Sequence, residues 1–104
     1  MTRVPRFEDE AGQELEDAVL WYEDQKADLG LRFLEAVERT LDRIGQFPAA
    51  GAPVPRLPAE IPARRAPVAG FPYHVVYLEL PGSIRVLAVA HDSRRPGYWH
   101  SRRR

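Results

Sequence analysis

FPYHVVYLELPGSIRVLAVAH, from Phe71 to His91, is two runs of β-branched and aromatic residues with Pro81-Gly82 between them. Such residues pack well on a pleated surface and favour extended backbone. A Pro-Gly pair between two runs of this kind reads as the turn of a β-hairpin. Both faces of each run are largely apolar, so the two strands belong in the middle of a sheet, with another layer on one side. A tight turn pairs Leu80 with Ser83 and Glu79 with Ile84, and side chains then alternate along each strand. In that register His74, Val76 and Leu78 share a face with Arg85, Leu87, Val89 and His91. Phe71, Tyr73, Val75 and Tyr77 share the other with Val86, Ala88 and Ala90, and this is the face expected to meet the helices. A slip of one residue would exchange the groupings.

Upstream, Ala11, Leu15, Ala18, Val19 and Tyr22 recur at helical spacing, with Glu14, Glu16, Asp17 and Glu23 on the other side. A helix is expected over about Asp9 to Ala27, broken at Asp28-Leu29-Gly30, with Gly30 as its C-cap. Leu31, Leu34, Val37, Leu41 and Ile44 form a second stripe that ends near Gly45 to Phe47, before Pro48. Two amphipathic helices with a short connection pack as an antiparallel hairpin, and Trp21, Tyr22 and Phe33 are expected to serve that packing. The proline-rich stretch from Pro48 to Pro67 can be neither helix nor central strand. It reads as an extended loop, with a strand over Ile61 to Ala66. Thr2 to Phe7, which contains Pro5, reads as an edge strand. The expected fold is a single α+β domain over residues 1–104: an N-terminal edge strand and an antiparallel helical hairpin packed on one face of a small antiparallel sheet.

The totals narrow the function. A chain of 104 residues with 44% hydrophobic content supports one core and is too short for two domains. Zero cysteines exclude a disulfide scaffold and cysteine-ligated metal, and fit a reducing cytoplasm. No apolar run approaches the roughly 20 residues that span a bilayer, and the N-terminus lacks the apolar segment of a signal peptide. Net charge is formally zero. It is unevenly distributed, with carboxylates in excess from Glu8 to Glu38 and arginines dominant from Arg56 onward. A neutral total argues against tight nonspecific binding to nucleic acid.

The polar residues with chemical potential cluster late in the chain. His74, Arg85 and His91 fall on the sheet face turned away from the helices. AHDSRRPGYW, Ala90 to Trp99, adds Arg94, Arg95 and Tyr98 directly after the last strand. The competing structural readings place Arg85 at a strand edge in water and His91 on a backbone carbonyl. The three histidines lack metal-ligand spacing, so neither a metal nor a cofactor is expected. No glycine-rich phosphate loop occurs, and neither Ser83, Ser93 nor Ser101 has the context of a catalytic nucleophile.

Taken in order, these segments resemble the RelE/ParE toxin superfamily, the toxin halves of bacterial type II toxin–antitoxin modules, often labelled plasmid stabilisation proteins. The likeness is carried by Glu14-Leu15-Glu16-Asp17-Ala18 with Trp21-Tyr22, then Leu29-Gly30-Leu31-Arg32-Phe33-Leu34, then Phe47-Pro48. Arg64-Arg65, FPYHVVY from Phe71, VLAVAH from Val86 and RRPGYW from Arg94 complete it. It covers nearly the whole chain.

The resemblance implies a helical hairpin on a small antiparallel sheet, and a cognate antitoxin as partner. One branch of the superfamily cleaves messenger RNA in the ribosome; another poisons DNA gyrase. Carried over from the nucleases, Tyr98 takes the position of their catalytic tyrosine, and Arg94 or Arg95 supplies the cation beside it. Arg64 or Arg65 supplies the cation on the preceding strand, and His91 with Tyr98 forms the acid–base pair that cleavage of RNA needs. His74 and Arg85 complete the target-binding set. His74 stands where those enzymes tend to carry an arginine, and Lys26 is the only lysine. Scarce lysines and a neutral charge favour a gyrase-directed toxin over a ribosome-dependent nuclease. The third reading is an antitoxin-binding module without toxicity. The C-terminal Arg102-Arg103-Arg104 has two readings, a basic tail that touches nucleic acid or an acidic antitoxin and, favoured over it, a frayed, solvated end.

Overall fold

A computed structural model of the chain describes residues 3–57 and 60–103. Thr2, at the start of the expected edge strand, and Arg104, at the end of the basic tail, lie outside the described residues. The elements follow one another as β1 (Arg6–Phe7), α1 (Asp9–Gln25), α2 (Leu29–Gln46), a 3-10 turn (Pro48–Ala50), β2 (Ala52–Pro53), β3 (Ala63–Pro67), β4 (Tyr73–Leu80), β5 (Ser83–His91) and a second 3-10 turn (His100–Arg103). The strands form one five-stranded sheet in the order β1-β5-β4-β3-β2. The expected α+β architecture is present, with two differences. The proline-rich stretch, expected to be a loop and no central strand, supplies β2 as well as β3, and β3 lies inside the sheet between β4 and β2. The direction of β1 is the other. β1 runs parallel to β5, pairing Arg6 with Arg85 and Phe7 with Val86, so the sheet is mixed. A strand that precedes two helices can return beside β5 in either direction, and period-two patterning does not encode which.

The helices turn corners by means the apolar stripes do not announce. Asp9 and Glu10 put negative charge on the first turn of α1, where the helix dipole favours it. α1 stops at Gln25, and Asp28 enters the left-handed region at φ 71° to start α2. The Glu23 carboxylate caps the new helix, accepting N–H bonds from Asp28 (3.0 Å) and Gly30 (3.1 Å). Gly30 is therefore no C-cap. It lies inside α2 against α1, where a Cβ would stand 2.5 Å from the Val19 carbonyl oxygen, so glycine is what lets the helices approach there.

Ala11, Ala18, Phe33, Val37 and Ile44 are buried between helices and sheet with Val75, Tyr77, Ile84, Val86 and Val89. Tyr22 and Phe33 join Phe71 and Tyr73 in a cluster of ring contacts 4.9 to 6.1 Å apart between centroids. Trp21 does not enter the core as expected: its ring stands at 82° to that of Tyr22, centroids 5.1 Å apart, and it is 56% exposed.

The Pro81-Gly82 turn forms as read, Leu80 opposite Ser83, with Gly82 at φ 73°. The register then breaks. Tyr77 faces Val86 while Val76 faces Ala88, so Leu87 is an extra residue in β5. This bulge reverses the alternation beyond it. Leu87, Ala88 and Ala90 join Val76 and Leu78 on the face away from the helices, whereas Val89 enters the helix-side core. His91 stacks edge-on against Tyr73, centroids 5.1 Å apart. The expected grouping holds for Phe71 to Tyr77 with Val86, and is overturned for Ala88, Val89, Ala90 and His91. The far face is also not bare. Trp99, 2% exposed, buries itself there, and Val54, Leu57, Ile61 and Tyr98 pack around it.

Candidate functional site

The far face carries a groove of about 580 Å³. Its floor is Val76 and Ala90; the loop Val54–Leu57 walls one side and the segment from Arg94 to His100 the other. A shallower hollow of about 340 Å³ shares Arg65, His74 and Asp92 with it. Arg65 and His74 owe their places to strand alternation, Asp92, Arg94 and Arg95 to the chain's exit from β5, and Arg56 to the loop between β2 and β3. Arg65 sits opposite Val76, and His74 opposite Ala90, so both reach this face. Asp92, Arg94 and Arg95 follow as the chain turns off the end of the strand, the Arg94 N–H bonding back to the His91 carbonyl at 2.9 Å.

Of the residues singled out from sequence, the structure brings together Arg65, His74, Arg94, Arg95 and Tyr98. It separates three others. Arg64 precedes Arg65 by one position, pairs with Tyr77 and so points to the helix side, where it donates to the Gly51 carbonyl at 2.8 Å. Arg85 donates through Nε to Glu8 at 2.7 Å and through Nη2 to the Arg102 carbonyl at 3.1 Å, binding the chain's two ends to β5. His91 lies on Tyr73. Its Nδ1 accepts the Ser93 N–H at 3.0 Å and contacts the Ser93 hydroxyl at 2.7 Å. The partner of His91 is thus a serine two residues on, not a backbone carbonyl.

Tyr98 is held in place by Glu14. Its hydroxyl donates to Glu14 Oε2 at 2.6 Å. The other carboxylate oxygen accepts from Arg102 at 2.7 Å and from the Val89 N–H at 3.1 Å. The bulge leaves Val89 N–H and the Leu87 carbonyl without a strand neighbour, since β1 pairs only as far as Val86. Glu14 satisfies the first and Arg102 the second, at 3.1 Å. Arg102 is accordingly a clasp and not part of a frayed end. Burial, then the hydrogen bond to Glu14 and its negative charge, push the Tyr98 hydroxyl far above its ordinary titration range. Burial works against the charge on Arg102, but the bond to Glu14 and its carboxylate's field outweigh it and hold the guanidinium above its usual value. The Arg94 guanidinium covers one face of the Tyr98 ring, 4.0 Å from its centroid.

In the groove itself, His74 Nδ1 lies 2.9 Å from Asp92 Oδ1. A carboxylate only accepts, so this nitrogen carries the proton and Nε2 remains for another partner. Arg56, Arg65 and Arg95 line the groove with no ion-pair partner among the described residues. Among the described residues no three His, Asp or Glu side chains converge as metal ligands would, and no helix is long and apolar enough to cross a membrane. Reasoning from sequence missed Glu14, Asp92 and Arg102 as members of this neighbourhood. Glu14 sits on the polar side of a helical stripe, which looks like solvent exposure until the bulged strand is packed beside it.

The arrangement of two helices over a bulged sheet has a counterpart among solved structures. A chain from the chromosomal ParDE TA system of P. aeruginosa superposes with a TM-score of 0.72 at 14% identity, covering 86% of this chain and 96% of that one. At that identity the likeness is one of fold. No curated protein matches the sequence. The family model for the ParE toxin of type II toxin–antitoxin systems matches residues 6–96, and the chain belongs to that family. The matched span ends before Tyr98 and Arg102.

Proposed function

We propose that the chain is a single-domain cytoplasmic toxin that arrests growth by acting on DNA gyrase and is neutralised by a cognate antitoxin. The observation that carries the gyrase reading is the Tyr98 hydroxyl, committed to Glu14 at 2.6 Å and held protonated there. A general acid must reach a leaving oxygen in the substrate, and this phenol instead faces a carboxylate of its own fold. His91, the other half of the acid–base pair expected from the nucleases, is turned to the opposite sheet face. Membership of the ParE family supports the same reading.

A second reading, a ribosome-dependent nuclease, has one observation in its favour: His74 is oriented by Asp92 in the same groove as Arg65 and Arg94. Brief induction in a bacterial host separates the two. Gyrase poisoning gives DNA breaks and an SOS response with transcripts intact, and Tyr98→Phe retains both. Rapid cleavage of transcripts in translating ribosomes, lost in Tyr98→Phe or His74→Ala, would overturn it. Unimpaired growth without any partner would leave the chain an antitoxin-binding module.

A further inference from the structure

The outer surface of α1 leaves two large apolar side chains in water. Leu20 is 58% exposed and Trp21 56%, whereas the other tryptophan, Trp99, is buried. The fold does not need them there. Ala11 and Ala18 are buried, and Leu15, Val19 and Tyr22 pack against the core, so the core-facing stripe of α1 is complete without either. Tryptophan brings a large apolar area to a contact at low entropic cost, and it is prominent among the residues that dominate binding energy at protein interfaces.

The charges around the pair choose the occupant. Asp17 lies three residues before Leu20 and four before Trp21, and Asp24 lies four after Leu20 and three after Trp21. Residues at those separations are neighbours on a helix surface, so both carboxylates flank both apolar side chains. Both are exposed. Neither has an ion-pair partner among the described residues, and α1 carries no lysine or arginine. Nucleic acid and anionic lipid are repelled by such a face. A two-fold contact with a second copy would set it against its own like charge. A protein surface with an apolar recess among lysines and arginines is complementary to it, and an enzyme that grips DNA must present basic surface.

We infer that the outer face of α1 docks the chain on its target enzyme. Leu20 and Trp21 enter an apolar recess there, and Asp17 and Asp24 meet the basic residues around it. The inference rests on the reading that the target is DNA gyrase, and it assigns the surface that makes the contact.

The test immobilises the full chain and measures binding of purified gyrase holoenzyme, with DNA cleavage by that enzyme followed in parallel. Trp21→Ala should weaken binding about tenfold or more. Trp21→Phe, which keeps an aromatic ring, should fall between. Asp17→Lys/Asp24→Lys leaves the apolar pair in place and should weaken binding most at low salt, flattening its salt dependence. Thermal midpoints compared with the parent's verify that each variant folds. Parent binding that neither Trp21→Ala nor the charge reversal weakens overturns the inference and leaves the gyrase reading standing. Absence of both binding and cleavage with the parent overturns the two together. Self-association of the chain alone in sedimentation, lost in the same variants, would assign this face to a second copy and also overturn the inference.

Discussion

Replacing Glu14 by alanine would remove one carboxylate and strand three donors at once: the Tyr98 hydroxyl, the Arg102 guanidinium and the Val89 N–H. The Glu14 and Arg102 side chains are 18% and 13% exposed, so solvent replaces little of what is lost. Removing one partner of a buried ion pair costs about 3–5 kcal/mol, because the remaining charge stays buried without compensation. Arg102 keeps the Leu87 carbonyl at 3.1 Å, which places the expected loss near the low end, at about 3 kcal/mol. Against a total stability of about 5–15 kcal/mol this is a large fraction. In a domain of this size it lowers the melting temperature by roughly 12–24 °C, at about 4–8 °C per kcal/mol.

Tyr98→Phe removes one hydrogen bond to a charged acceptor and should cost about 1.5–2 kcal/mol. The two residues share a partner, so their effects cannot add. Glu14→Ala/Tyr98→Phe should be about 1–2 kcal/mol more stable than the sum of the single losses. Urea denaturation of the parent, both single variants and the double variant, followed by circular dichroism with slopes compared, measures the cycle. A loss under about 1 kcal/mol for Glu14→Ala, or strict additivity, would refute the claim that Glu14 clasps the C-terminal segment to the bulged strand.

Two further outcomes follow from the tyrosines. The Tyr77 hydroxyl, buried completely, donates to the Pro48 carbonyl at 2.6 Å and accepts the Gly51 N–H at 3.1 Å. Tyr77→Phe should cost about 1–3 kcal/mol, with hydrogen exchange at Gly51 faster than the global loss explains; unchanged exchange there would contradict the contact. All four tyrosines titrate above their ordinary value near 10, each through burial first. The folded state therefore holds protons that the unfolded chain releases. The stability this represents is complete below pH 10 and declines as pH rises past it, because unfolding then releases protons. Tyrosinate absorbance should consequently rise together with loss of circular dichroism at alkaline pH. Reversible ionisation of all four near pH 10 in an intact fold would refute it.

The helical stripes and the Phe71–His91 hairpin were legible because periodicity is a local property: burial on one side imposes it, whatever lies opposite. Candidate site residues that depend on a single strand's alternation, such as His74, were legible for the same reason. His91 was not. Whether it faces the groove or the helices depends on the extra residue at Leu87, and one apolar residue in an apolar run leaves no mark of being unpaired. Arg64 and Arg65 were read as interchangeable, yet adjacent residues on a strand face opposite ways, and only pairing with β4 decides which one reaches the groove.

AHDSRRPGYW, with the arginines that follow it, shows the division most sharply. Sequence alone determined that His91, Arg94, Arg95 and Tyr98 gather at the end of the last strand. Tertiary structure decided what each does there. The bulge turns His91 away and frees Val89 N–H, and a buried donor must find an acceptor. Glu14, seventy-five positions earlier, supplies it and holds Tyr98 and Arg102 with the same carboxylate. A contact of that sequence separation is set by how the helix packs on the sheet, which is a property of the assembled layers and of no segment by itself.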